Sequence, residues 1–169
     1  MAAASCALAA GASLAHIAAG LASVSAIAGR LEFKPIVGGG TIIDDSYNAS
    51  PSSFQAAIDV LANCSGRKIL VMGDMGELGE DAVQMHRQVG DYAAGAEVDA
   101  LYTVGELSVA AAEAFGATHY GSQDSLIDVL FEELQLAQSN NSEITFLVKG
   151  SRSSGMENIV NRLISRGDD

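Results

Sequence analysis

From residue 68 to residue 165 the chain alternates short runs dense in aliphatic residues with longer segments of helical spacing. The strand-like runs are 68–72 (KILVM), 99–104 (DALYTV), 117–120 (ATHY) and 144–148 (ITFLV), and the helical patterns cover 80–94, 106–114, 123–137 and 153–165. A parallel neighbour cannot be reached through a tight turn, so strands separated by helices specify right-handed crossovers and a sheet covered on both faces. Upstream, 31–37 and 41–45 read as two more strands joined by Gly38, Gly39 and Gly40. Pro51 opens a helix in which Phe54, Ala57, Ile58 and Leu61 share one face. The reading is an open, mostly parallel, Rossmann-like α/β sheet of about six strands with helices on both faces.

The first 29 residues carry no charge. They lack a basic leader and are dominated by Ala, Gly and Ser with His16 inside, whereas a spanning helix needs a continuous run of strongly apolar side chains. Two short helices are expected, over 1–9 and 14–20, separated by Gly11 and a Ser13 cap. Helices with no polar face belong inside something larger, which points to a piece of a neighbouring domain; a self-contained helical cap is the alternative. The protein is not expected to be integral to a membrane.

The formal charge of −12 makes nucleic acid a poor partner, and no Lys or Arg lies between Arg87 and Lys149, an interval holding ten acids. The cations that could meet an anionic ligand are therefore few: Arg30, Lys34, Arg67, Lys68, Arg87, Lys149, Arg152, Arg162 and Arg166. Cys6 and Cys64 have no metal-ligand spacing and read as two buried thiols of a cytosolic protein.

In a parallel sheet the working positions are the loops at the carboxyl ends of the strands. Segment 44–51 (DDSYNASP) places two carboxylates, a phenol and an amide there, with only one of Asp44 and Asp45 facing the cleft if the strand persists. It is either a ligand site or a set of turn and helix caps. Segment 73–81 (GDMGELGED) would hold a metal, receive an ammonium group, or be a solvated turn, and His86 and Arg87 on the following helix would face the cleft or the surface. Segment 149–154 (KGSRSS) combines Lys149 and Arg152 with N–H groups of a helix start, a recipe for holding a carboxylate or phosphate. His119 reads as structural. No GxxxxGK[ST] loop is present, so catalysis of nucleotide hydrolysis by this chain alone is not expected.

Six segments in order, GRLE (29–32), DDSYNASP (44–51), KILVMGDMGELGE (68–80), HRQVG (86–90), TVGE (103–106) and KGSRSSGME (149–157), resemble the C-terminal part of the bacterial Mur ligases. The resemblance implies a chain made of the last helices of the central, ATP-binding domain (1–28) followed by the C-terminal domain (29–169), with the N-terminal and central domains acting in cis. It implies a cytoplasmic, ATP- and Mg2+-dependent amide ligase of peptidoglycan precursor synthesis. Within the family it points to joining D-alanyl-D-alanine to UDP-N-acetylmuramoyl-tripeptide through an acyl phosphate. Addition of a single amino acid, or a stand-alone nucleotide-binding module, are the alternatives.

By the same resemblance Arg30 at the interdomain hinge, Asp45, Tyr47 and Asn48 contact ATP, Asp45 accepting from ribose hydroxyls. The dipeptide pocket takes Lys149, Ser151 and Arg152 for a carboxylate, Asp74 or Glu77 for an ammonium group, and His86 and Arg87 from the adjoining helix. No metal ligand and no catalytic residue is assigned to this chain.

Overall fold

The computed structural model describes residues 2–22 and 27–165. Parts of the expected segments 1–28 and 29–169, namely 1, 23–26 and 166–169, lie outside the described residues, and Arg166 with them. Two helices, α1 (Ala2–Ala9) and α2 (Leu14–Ala22), come first. A hairpin follows, β1 (Glu32–Pro35) and β2 (Thr41–Asp45), then α3 (Pro51–Ala62) and β3 (Arg67–Met72). The rest is α4 (Ala82–Gly95), β4 (Ala100–Val104), α5 (Val109–Phe115), β5 (Thr118–Tyr120), α6 (Gln123–Ser139), β6 (Ile144–Lys149) and α7 (Glu157–Ser165).

The strands form one sheet in the order β1-β2-β6-β3-β4-β5, parallel throughout except for the antiparallel β1–β2 pair. Period-two alternation sorts the core. Ile42, Ile69, Val71, Ile144, Phe146 and Val148 face α6 and α7. Their neighbours Ile43, Leu70, Met72 and Leu147 face α3 and α4. The strand β6, flanked on both edges, has all six residues buried, including Lys149 at its carboxyl end.

Element boundaries depart from the expected ones where loops capture backbone groups. The helix expected from 106 begins at Val109, because the Leu107 and Ser108 N–H groups are donated to Asp74. The helix expected from 153 begins at Glu157, after a 3-10 turn at Arg152–Ser154 and a left-handed Gly155. The first hairpin strand ends at Pro35 because Ile36 already belongs to the turn, its N–H donated to Gly40 O.

The cysteines correct the sequence reading: Cys6 is exposed and Cys64 half-buried. Exposure of Cys6 follows from α1 and α2, whose Leu8, Leu14 and Leu21 side chains are all more than half exposed. No described helix is long and apolar enough to cross a membrane.

Two carboxylates tie the sheet together. Burial opposes charge on Asp44, but hydrogen bonds from Lys34 and from the Ser46 hydroxyl and N–H outweigh it and hold its carboxyl below the usual range. Glu133 is also held low: burial is outweighed by Arg67 and the Tyr102 hydroxyl, whose own pKa is pushed up to about 12 by burial and by Glu133. Folded-state values below the unfolded ones mean stability that is complete above the unfolded pKa of about 4 and is lost as pH falls through the folded values. The melting temperature is therefore expected to drop by several degrees from pH 5 to pH 3, and Asp44→Asn should flatten that drop in thermal denaturation. A slope unchanged by the substitution would count against this assignment.

Candidate functional site

The carboxyl ends of β2, β6 and β3 converge, and the loops that leave them enclose two adjoining clefts. One, of about 410 Å³, is lined by Arg30, Leu31, Asp45, Asn48, Ser50 and Lys149 among others. The second, of about 580 Å³, is lined by Asn48, Ser50, Gly76, Glu77, Ser151 and Arg152 among others. Asn48, Ala49 and Ser50, leading into α3, form the ridge between them. That ridge is rigid because Ser50 caps α3: its hydroxyl accepts the Ser53 N–H while its own N–H is donated to the Ser53 hydroxyl.

Register explains the floor of the first cleft. Asp45 and Lys149 are paired residues at the ends of two parallel strands. Lys149, with a side chain 2% exposed, donates to Asp45 Oδ2 and to the Asn48 carbonyl, 2.9 Å away, and its ammonium lies 5.4 Å from the Phe54 ring centroid. The other Asp45 oxygen accepts the Leu31 N–H at 3.0 Å. Each carboxylate oxygen keeps a second lone pair for a hydroxyl donor. Asp44 turns the other way, to Lys34 and Ser46, so one of the two aspartates faces the cleft.

Tyr47, nearly half exposed, sits below two guanidinium groups: Arg30 lies 4.5 Å and Arg152 6.0 Å from its ring centroid. Its N–H is donated to Gly29 O, so the segment entering β1 is fastened to this loop through Gly29 and Leu31 together. Cation–π contact of this kind orients an arginine that remains free to meet an anion.

The second cleft depends on two loops lying against each other. Gly73 donates its N–H to Lys149 O, and Ser151 donates its N–H to Asp74 O at 2.8 Å. A Cβ on Gly150 would lie 2.5 Å from Ser154 Oγ and 3.2 Å from Gly73 Cα, so no larger residue permits this approach. Arg152 reaches Glu157 at 3.3 Å but stays largely exposed, and Glu77 is exposed in a left-handed conformation with φ of 60°.

The residues proposed from sequence thus separate. Arg30, Asp45 and Asn48 line the first cleft, with Tyr47 beside it, and Lys149 joins them there instead of lining the second cleft. Glu77, Ser151 and Arg152 line the second. Three others are not brought there. The Asp74 carboxylate accepts from Leu107 and Ser108 N–H, His86 is fully buried, and Arg87 pairs with Glu113 on α5 at 3.0 Å. Ser53 and Ser153, in the lining of the first and second cleft respectively, were not named individually from sequence; Ser153 lies inside segment 149–154 and Ser53 two residues beyond segment 44–51. His119 shares a hydrogen bond with Thr103 across β4 and β5.

Magnesium does not fit these residues. Asp44 and Asp45 are each engaged by a lysine, and no group of three His, Cys, Asp or Glu side chains converges among the described residues.

The architecture is that of an open α/β domain with two adjoining clefts at the carboxyl ends of its strands, one bordered by Arg30 and the Asp45–Lys149 pair and the other by Glu77 and Arg152. The chain belongs to the Mur ligase family: residues 29–152 match the model of the Mur ligase, glutamate ligase domain. It is 40% identical over 168 residues to the UDP-N-acetylmuramoyl-tripeptide–D-alanyl-D-alanine ligase of Escherichia coli K12, covering 99% of this chain and 36% of that protein. A crystal structure of MurF from Acinetobacter baumannii superposes with a TM-score of 0.84 at 36% identity, over 94% of this chain and 34% of that one. The MurF ligase of Thermotoga maritima in complex with ADP gives a TM-score of 0.71 at 26% identity, over 88% and 33% of the two chains. The chain spans about a third of the length of the relatives it matches.

Proposed function

We propose that this chain supplies the nucleotide-facing and dipeptide-binding domain of an ATP-dependent ligase that joins D-alanyl-D-alanine to UDP-N-acetylmuramoyl-tripeptide. The observation that carries the reading is the pair of adjoining clefts sharing the Asn48–Ser50 ridge, because a ligase must hold two reactants side by side. Residues 1–28 would belong to the neighbouring ATP-binding domain. That domain and the N-terminal one would supply the phosphate loop, any magnesium site and the tripeptide site. A reaction that draws on ATP and a UDP-linked precursor would take place in the cytoplasm, which is part of the same reading.

In the first cleft Arg30, oriented by Tyr47, meets nucleotide phosphate. Asp45, held by Lys149 and the Leu31 N–H, accepts ribose hydroxyls through its remaining lone pairs. In the second cleft Arg152 and the Ser151 and Ser153 hydroxyls hold the dipeptide carboxylate, while Glu77 attracts the ammonium group. Closure of these clefts over the reacting carboxyl group excludes water from an activated acyl group.

In the full-length enzyme, Arg152→Ala should raise KM for D-alanyl-D-alanine roughly tenfold or more and Arg30→Ala should do so for ATP, the loss of one charge-assisted hydrogen bond each. Steady-state kinetics with each substrate varied checks both. A wild-type preference for a single amino acid over the dipeptide would sink the assignment of substrate.

A further inference from the structure

We propose that His86 is a positioning residue for the second cleft, holding the loop that presents Glu77. Its imidazole is fully buried at the start of α4, and both ring nitrogens are engaged. The Nε2 atom accepts the Met75 N–H at 2.9 Å, so it carries no proton. The Nδ1 atom lies 2.6 Å from the Ala82 carbonyl, which only a proton can satisfy. The ring is therefore the neutral Nδ1–H tautomer with no atom left for a ligand.

What it holds is specific. The Met75 side chain is buried in the core on the α3 and α4 side, so the bond to its N–H fixes main chain, not a mobile tip. One residue earlier, Asp74 is fixed twice: its carboxylate accepts from Leu107 and Ser108, and its carbonyl accepts the Ser151 N–H. The next three residues, Gly76, Glu77 and Leu78, line the cleft. Glu77 takes a left-handed conformation that is unfavourable for a non-glycine residue, and such a conformation persists only where the flanking chain is over-determined. His86 with Asp74 supplies that constraint on the chain that carries Glu77 into the lining of the cleft it shares with Arg152.

This inference rests on the second cleft being the dipeptide site, so it is tested by two separable readouts. His86→Asn keeps a donor for Ala82 but cannot reach Met75; His86→Gln reaches Met75 with an acceptor. In the 169-residue chain, amide exchange at residues 75–78 should accelerate about tenfold in His86→Asn relative to amides of β3, the expected loss of one buried hydrogen bond, and return largely to normal in His86→Gln. In the full-length enzyme, KM for D-alanyl-D-alanine should rise about tenfold in His86→Asn with KM for ATP within about twofold, and His86→Gln should recover most of it. Unchanged exchange at 75–78, or parallel rises in both KM values, would overturn the inference. Accelerated exchange with dipeptide KM unaffected by both His86→Asn and Arg152→Ala would instead overturn the ligand reading of the cleft and leave His86 as the pin of its loop.

Discussion

Replacing Lys149 by methionine is expected to lower stability by about 3 kcal/mol, because removing one partner of a buried ion pair leaves the other charge uncompensated. For a domain of this size that is roughly 6–12 °C in Tm. The side chain is almost wholly enclosed, and its ammonium joins Asp45 to the Asn48 carbonyl across the ends of β2 and β6. In an Asp45→Asn background the same substitution should cost clearly less, and a double-mutant cycle by chemical denaturation measures the difference. Additive costs would show that the two groups do not act as a pair. In the full-length enzyme the kinetic effect should fall on KM for ATP, since Lys149 borders the first cleft and not the second. A defect confined to the dipeptide would return Lys149 to the pocket that the KGSR segment first suggested.

Gly105→Ala should also be strongly destabilising. Gly105 has φ of 125°, a conformation unfavourable to any residue with a Cβ, and a Cβ there would lie 2.4 Å from Asp74 Oδ1. That oxygen accepts the Leu107 and Ser108 N–H groups ahead of α5, so displacing it leaves two donors without their partner. Backbone strain together with lost hydrogen bonds is worth about 3 kcal/mol. The expected result is a Tm lowered by several degrees with a loosened 73–78 loop, measured by thermal denaturation and amide exchange. A wild-type Tm would mean that Asp74 can turn aside without loss.

Much of the fold is legible in the sequence, because hydrophobic periodicity is a local property. The run KILVM alternates between the two cores, and the Phe54, Ala57, Ile58, Leu61 spacing predicts the buried face of α3. The places where boundaries slipped are those where loops take backbone hydrogen bonds. Asp74 caps the turn ahead of α5 from 33 residues away, and no local pattern encodes that partner. The same reason explains the cysteines: their burial depends on what covers α1 and the end of α3, not on residue type.

The site divides in the same way. Residue type and position after a strand were enough to single out the segments that carry Asp45, Asn48, Glu77, Ser151 and Arg152, since polar residues at the carboxyl ends of parallel strands face a cleft, whereas Arg30, ahead of β1, stood out only as one of few cations and through the family resemblance. What only the tertiary structure decided is which of them stand together. Lys149 and Asp45 are 104 residues apart, yet strand register makes them neighbours and moves Lys149 into the first cleft. His86 has the chemistry of a ligand contact, but helix α4 turns its ring inward, where both nitrogens are consumed by main-chain groups. Sequence determines the inventory of charge and the periodicity that builds the sheet. Whether a polar side chain is free for a ligand depends on partners brought in by long-range pairing, and that is settled only when the strands align.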